Sequence, residues 1–482
     1  MPIVKRPPDE QRRRIVLPER MGTVAGKTDV LVVGGGPAGL GAALGAAWAG
    51  ARVVLAERYG FLGGNATVAL VMPLMSFHTR RQAPGAADNA RLLPTDHGVG
   101  DPVVAGALAF FLERLIAAGG AIPPSEATGY TVPFDPEVFK LVAMEVLDQA
   151  GIQLLFHSFA SGVIGEPARP GGVVFETKSG PVVIAAGAIV DCTGDGDVAA
   201  AAGAPFEVGR SQDGLVQPMT LMFRMVGFDR PTFAAYVHEN PAQWRSVHGL
   251  WELIAEATAA GDLDLPREDM LFFATPHEGE VSVNSTRVTG ALGISVWDLT
   301  RAEWESRRQM RQIADFLQRY VPGFEEAYVV QSGTAVGVRE TRRILGDYQM
   351  TAEDILTARK FDDVIARGTY PIDIHNPAGK GTLLKRVPMG DAYDIPLRAL
   401  LPRNLDRVLV AGRCISGTHE AHSSYRVTPT AMATGQAAGV CAAMVARTGK
   451  PARAVSPSEV QAELRRQGAN LGARSLTGSA AG

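Results

Sequence analysis

The stretch Asp29–Glu57, DVLVVGGGPAGLGAALGAAWAGARVVLAE, decides the fold. A short β-branched run, DVLVV, is followed at once by Gly34-Gly35-Gly36-Pro37-Ala38-Gly39 and then by an alanine-rich helical run. Strand, glycine-rich turn and helix in that order make a dinucleotide-binding unit. Gly34 permits the turn, Gly36 lets the backbone approach a pyrophosphate, and Gly39 lets helix and strand pack closely. The helix start at Pro37 and Ala38 presents free N–H groups to an anion. A second strand, ARVVLAE, ends in Glu57, whose carboxylate can accept both hydroxyls of an adenosine ribose.

Directly after it comes Arg58-Tyr59-Gly60-Phe61-Leu62-Gly63-Gly64-Asn65-Ala66-Thr67, a second glycine-rich turn. With this turn the sequence resembles the FAD-dependent oxidoreductase family of the glutathione-reductase-like flavoprotein superfamily, and more distantly the fumarate-reductase-type flavoproteins. The resemblance also rests on GVRETRRILGDYQMT, DVIARGTYPIDIHNP and VAGRCISGTHEAHSSYRVTPTAMATGQAAG, and covers roughly residues 28 to 447. It implies FAD as the cofactor and an α/β fold: a Rossmann-type FAD-binding domain with an inserted, mainly antiparallel β-sheet substrate domain. Arg58, Gly63, Gly64, Asn65, Ala66 and Thr67 are then expected beside the cofactor. So are Thr193 and Gly194, where GAIVDCTGDGDV looks like the superfamily's returning strand and turn. Gly412 and Arg413 follow a third such strand, VLVAG. Many relatives carry an aspartate where this chain has Arg413, a cation able to bind phosphate.

In RVTPTAMATGQAAG, Thr428 reads as a helix N-cap and Pro429 as the first helical residue. Small residues through Gly435 and Gln436 allow close packing against the cofactor. The positive end of such a helix favours the negative charge of reduced flavin.

Composition bounds the partners. The 482 residues include 47 basic and 50 acidic side chains, so no overall field recruits nucleic acid or an anionic membrane. A small-molecule substrate is expected, with the electron donor or acceptor left open. Cys192, Cys414 and Cys441 form no close pair, which fits a reducing, cytoplasmic setting. The basic N-terminus lacks the apolar core of a signal sequence, and no apolar run is long enough to span a bilayer.

The expected organisation is a tail at 1–27, flexible or lying across the body or a neighbouring subunit of a homo-oligomer, then the first part of the FAD domain at 28–204. That part includes a lid-like loop at 80–102. The substrate domain is expected at 205–395, the rest of the FAD domain at 396–450 and an extension at 451–482. Helices are expected at 103–118, 135–150 and 300–320, and strands at IQLLFHSF, GVVFET, LMFRMVGFD, MLFFATP, EVSVNSTRV and DYQMT.

The cluster GTHEAHSSYRVTP offers two histidines, but their HExH spacing ahead of Pro429, read as a loop, is poor for a metal, so none is expected. On the flavin reading, His419 or His422 moves the proton that accompanies hydride transfer at flavin N5. Tyr425 and Arg426 orient a substrate oxygen or carboxylate. The resemblance adds Arg339 to the cavity wall and, more weakly, His375. Otherwise GVRETRR reads as a solvated helix end, and His78 as structural. The expected activity is an FAD-dependent oxidoreductase exchanging a hydride with a small organic substrate. Alternatives are a flavin monooxygenase and a flavin electron-transfer subunit of a larger redox complex.

Overall fold

The computed structural model describes residues 15–16, 18–81, 91–94, 98 and 100–472. Most of the expected tail and part of the expected lid, residues 82–90, 95–97 and 99, lie outside the described residues. The main sheet is built from β1 (Thr23–Val33), β2 (Val53–Ala56), β3 (Gln153–Leu155), β4 (Phe159–Glu166), β5 (Arg169–Thr177) and β6 (Gly180–Asp191). Their order is β3-β2-β1-β6-β5-β4, and the late strand Val408–Val410 joins the sheet beside β6. β1, β2, β3, Val408–Val410 and β6 run parallel, while β4 and β5 form an antiparallel extension. β1 therefore starts five residues ahead of the expected domain boundary, because Thr23 pairs with Val182 of β6.

The central parallel strands are buried on both faces over their carboxyl halves, as helix-covered strands must be. Val30, Leu31, Val32, Ile189, Val190 and Leu409 are all fully enclosed. α1 (Pro37–Trp48) follows β1, and the long helix Thr428–Thr448 lies against it. Hydrophobicity alone does not place these two helices; their glycines do. A Cβ on Gly435 would stand 2.0 Å from the Ala38 carbonyl oxygen, and one on Gly439 2.0 Å from that of Ala42. From the other side, Gly41 and Gly45 meet the backbone of Met432 and Gln436. The helices thus touch backbone to backbone.

A second, antiparallel sheet runs Tyr328–Ser332, Phe223–Val226, Glu280–Val283, Met270–Ala274, His248–Gly249 and Trp244–Arg245. The amphipathic helix Val296–Tyr320 contributes Ile313, Phe316 and Leu317 to the core of this sheet. That core is assembled from residues between 223 and 327, together with Leu92 and Leu93. Ile344, Met350, Phe361, Val364, Ile372 and Ile395 instead pack into the first core. The chain leaves the antiparallel sheet well before residue 395.

The expected helices occur at Ala107–Ala117, Pro136–Gln149 and Val296–Tyr320. Asp135 caps the second, accepting the N–H groups of Glu137 and Val138. Two expectations need correction. DYQMT is not a strand: Met350 makes only an isolated bridge to Gly417, and Thr351 turns the chain into a short helix by capping it. GVRETRR is not a solvated helix end either. Arg342–Ile344 is a strand, and Glu340 and Arg343 are buried, paired with each other.

Gly439→Ala is expected to cost about 1–3 kcal/mol in denaturant unfolding, since the overpacking outweighs the gain in helix propensity. Gly162→Ala, where a Cβ meets nothing within 4 Å, should stay within about 0.5 kcal/mol.

Candidate active site

The carboxyl ends of the four parallel strands β1, β2, β6 and Val408–Val410 open onto one cavity of about 360 Å³. Val33 and Gly34, Ala56 and Glu57, Cys192 and Thr193, and Ala411 and Gly412 each continue one strand into its wall. A crevice at the strand ends, where neighbours on either side of β1 diverge, is where doubly wound sheets bind ligands.

Gly34 makes the turn possible: its φ is +102°, and a Cβ would stand 2.4 Å from the Cys192 carbonyl oxygen. Gly39 lies against the Gly34 carbonyl, 1.8 Å from a would-be Cβ, and so seats α1 on β1. Gly36 is different. Its φ of −73° suits any residue, and a Cβ there would stand 3.6 Å from Gly64 Cα in the facing turn. Two glycine turns thus face each other across a slot that any side chain would fill. Gly36, as N-cap of α1, supplies no side-chain bond, so the first-turn N–H groups are free for an anion.

Glu57 is buried at the far end. It accepts the N–H of Gly35 at 2.6 Å and of Tyr59 at 2.9 Å. Burial raises its pKa, and those two backbone bonds partly offset the rise.

Arg58, Gly64, Asn65, Thr193, Gly194, Gly412, Arg413 and Thr428 join Pro37 and Ala38 in the wall. Gly63, Ala66 and Thr67 do not. They shape the second turn, with Gly63 at φ +112° and the Thr67 hydroxyl donating to the Leu62 carbonyl at 2.7 Å. Gly435 and Gln436 are also placed elsewhere, on the buried flank of their helix. Gly435 packs on α1, while Gln436 accepts the Ala107 N–H at 3.0 Å and donates to Gln467 at 3.0 Å. Arg413 is paired with Asp195 at 2.7 Å. The helix after it begins at Thr428 with Val427 as cap, so Thr428 is not the cap. No side chain blocks its first-turn N–H groups.

A second cavity of about 260 Å³ adjoins the first, and Asn65, Val338, Arg413, Arg426 and Thr428 line both. Its polar wall holds Arg339, Arg426, Tyr370, Asp373 and His375, and its apolar wall combines Val71, Met72 and Met75 with Met222, Val247 and, from the antiparallel sheet, Leu271 and Phe273. The Tyr370 hydroxyl donates to Asp373 Oδ2 at 2.8 Å, with His375 Nε2 at 3.6 Å and Arg426 Nη2 at 3.7 Å from the same oxygen. Arg287 approaches His375 Nδ1 at 3.3 Å. Because a guanidinium only donates, Nδ1 accepts and Nε2 carries the proton. Burial keeps His375 neutral, its pKa well below the ordinary value. Burial would raise the Asp373 carboxyl, but its charged and hydrogen-bonded neighbours hold it below the usual range.

His419, His422 and Tyr425 line neither cavity. Thr418 caps a short helix, His419–Tyr425, which replaces the expected loop and turns these side chains inward. His419 Nδ1 meets Glu340 at 2.9 Å, inside the buried Glu340–Arg343 pair. His422 is fully enclosed, neither ring nitrogen has a partner among the described residues, and burial drives its pKa far down. The Tyr425 hydroxyl donates to the Ile415 carbonyl at 3.0 Å. Among the described residues no group of three or more His, Cys, Asp or Glu side chains could hold a metal. No helix of the described residues is long and apolar enough to cross a membrane. His78 is buried against Phe77 and Tyr130, outside both cavities.

Sequence reasoning missed Tyr370 and Asp373. The signal was present in PIDIHNP, where Asp373 and His375 are two apart on a strand and so share a face.

A family model described as FAD dependent oxidoreductase matches residues 29–464. The chain belongs to this family. FAD is the cofactor of this oxidoreductase, and the slot between Gly36 and Gly64, the two uncapped helix starts and Glu57 suit a dinucleotide. Matches to solved structures are distant. The flavin-dependent brominase Bmp2 is 13% identical, with 92% of this chain and 84% of that chain covered and a TM-score of 0.44. A geranylgeranyl bacteriochlorophyll reductase-like protein from Thermoplasma acidophilum is 14% identical, with 91% and 83% covered and a TM-score of 0.42. The aromatic hydroxylase CabE is 14% identical, with 92% and 68% covered and a TM-score of 0.42. No curated protein matches.

Gly36→Leu should fold, because its backbone is unstrained, yet purify with at least about tenfold less FAD by absorbance. A second test concerns His422. Its folded pKa is depressed, so the unfolded chain takes up more protons below about pH 6.5. Relative to His422→Phe, the wild type should lose about 1.4 kcal/mol of stability per pH unit below that point, read from denaturant titrations.

Proposed function

We propose that this FAD-dependent oxidoreductase exchanges a hydride with a small organic substrate held in the second cavity, and that Asp373 handles the accompanying proton. The observation that carries this reading is the common wall: the same five residues bound the cofactor cavity and a separate cavity with convergent polar groups. When bound, FAD supplies the two-electron acceptor or donor for the hydride on the substrate carbon.

Everything else falls to the chain. In the oxidative direction the substrate C–H leaves with its electron pair, and an O–H or N–H proton must depart to complete the new double bond. That proton passes to Asp373 Oδ2, directly or through the Tyr370 hydroxyl that donates to it. A carboxylate with a low pKa is a weak base, but the substrate proton becomes strongly acidic as the hydride departs. A weak base then suffices. Burial and the Asp373 charge raise the Tyr370 pKa, so Tyr370 relays a proton without standing as a phenolate. His375 Nε2 stands 3.6 Å from Asp373 Oδ2, and Arg426 adds positive charge to the same oxygen. This takes the proton step away from His419 and His422, which reach neither cavity.

The test is anaerobic bleaching of the flavin by a panel of small alcohols, amines and organic acids. With a substrate that bleaches the wild type, Asp373→Asn should retain FAD and slow the bleaching about 100- to 10,000-fold. An unchanged rate removes Asp373 from the proton step.

A further inference from the structure

We infer that the substrate taken by the second cavity is a monocarboxylic acid with an apolar body, its carboxylate clamped by Arg339 and Arg426. The inference rests on the reading of this cavity as the substrate site. Its first support is unused donor capacity. Among the described residues Arg339 donates only through Nη1, to the Pro218 carbonyl at 2.7 Å and to the Thr220 hydroxyl. Among the described residues Arg426 Nε is buried without a hydrogen-bond partner. A buried guanidinium donor left unmatched is costly, and a carboxylate is the group whose two oxygens fit such a fork.

The second support is charge. Arg339 and Arg426 are two cations on one small cavity, and among the described residues Asp373 is the single carboxylate in its wall. Arg413, the other cation there, is already matched by Asp195. The wall therefore carries one uncompensated positive charge, which one carboxylate neutralises and a dianionic phosphate would overshoot. The strain is visible in Arg339, where burial and then the neighbouring Arg426 charge bring the pKa down to about 9. An anion bound between the two would reverse both effects.

The third support is the opposite wall. Met72, Met75, Met222, Val247, Leu271 and Phe273 offer an apolar surface to the rest of the molecule. Methionines adapt to irregular hydrocarbon shapes, so this wall suits an aliphatic or aromatic body and not a sugar or a second acid group. At about 260 Å³ the space is at the small end for ligand sites.

The probes are benzoate, its neutral isostere benzamide, and phenyl phosphate, each titrated into the holoenzyme while the flavin absorbance is followed. Benzoate should give a saturable spectral shift, with benzamide and phenyl phosphate each at least about tenfold weaker. Arg339→Gln, which touches only the second cavity, should keep its FAD and weaken benzoate at least about tenfold, with Arg339→Lys between it and the wild type. Equal binding of benzoate and benzamide in the wild type overturns the inference whether or not either variant folds. Tighter binding of phenyl phosphate overturns it too, as does unchanged benzoate affinity in Arg339→Gln. The two readings fail differently. If neutral alcohols or amines bleach the flavin while benzoate does not bind, hydride transfer stands and the acid assignment falls. If benzoate binds as expected and no acid bleaches the flavin, the acid site stands and the hydride reading falls.

Discussion

The rest of this structure depends on two helices touching without side chains between them. Gly41 and Gly45 on α1 and Gly435 and Gly439 on Thr428–Thr448 remove every Cβ from the contact, so the two backbones approach to van der Waals distance. The consequence reaches the other end of both helices. α1 begins at the pyrophosphate-type turn, and its partner begins where the two cavities meet. Bringing the axes together brings two free N-termini to one cleft, and each projects a partial positive charge into it. A wider contact would separate those charges, and a cofactor spanning the strand ends would lose one of its anchors.

Electrostatics divides the buried charges into two kinds. Glu340 and Arg343 form a closed set: Arg343 donates to Glu340 and to the carbonyls of Gly417 and Gly209, and Glu340 also accepts the Gln217 N–H and meets His419 Nδ1. Such a set ties the cap-side strand Arg342–Ile344 to the helix His419–Tyr425. Removing one member would leave a buried charge unmatched. Arg339, Arg426 and Asp373 are an open set, with donors left over and a cavity beside them. Closed sets hold a fold together, whereas open ones await a ligand.

The sequence displayed the cofactor cavity well and the second cavity poorly, for physical reasons. Gly34, Gly36, Gly39 and Glu57 act through local backbone geometry, which a short stretch of sequence encodes. The antiparallel strands at Phe223–Val226, Met270–Ala274 and Glu280–Val283 were legible by their apolar runs. His419 and His422 misled because nearness in sequence to Arg426 says nothing of direction. Thr418 nucleates one helical turn, and that turn carries both rings into the core while Arg426, just past its end, faces the cavity. Gln436 misled similarly, since a helix that aims one end at a cofactor buries its flank against other helices. Asp373 and Tyr370 meet Arg339 only through long-range packing, which no local pattern records.

Strand Met270–Ala274 divides its labour by alternation. Met270, Phe272 and Ala274 point into the second core, and Leu271 and Phe273 point into the second cavity. The polar wall, on Tyr370–His375 and Arg426, belongs to a different part of the chain. On the proposed substrate reading, substitutions at positions 271 and 273 would remodel which hydrocarbon body is accepted while the polar groups and the second core keep their own residues. In evolutionary terms, that wall can drift in shape so long as it stays apolar, since Phe273 also packs into the first core.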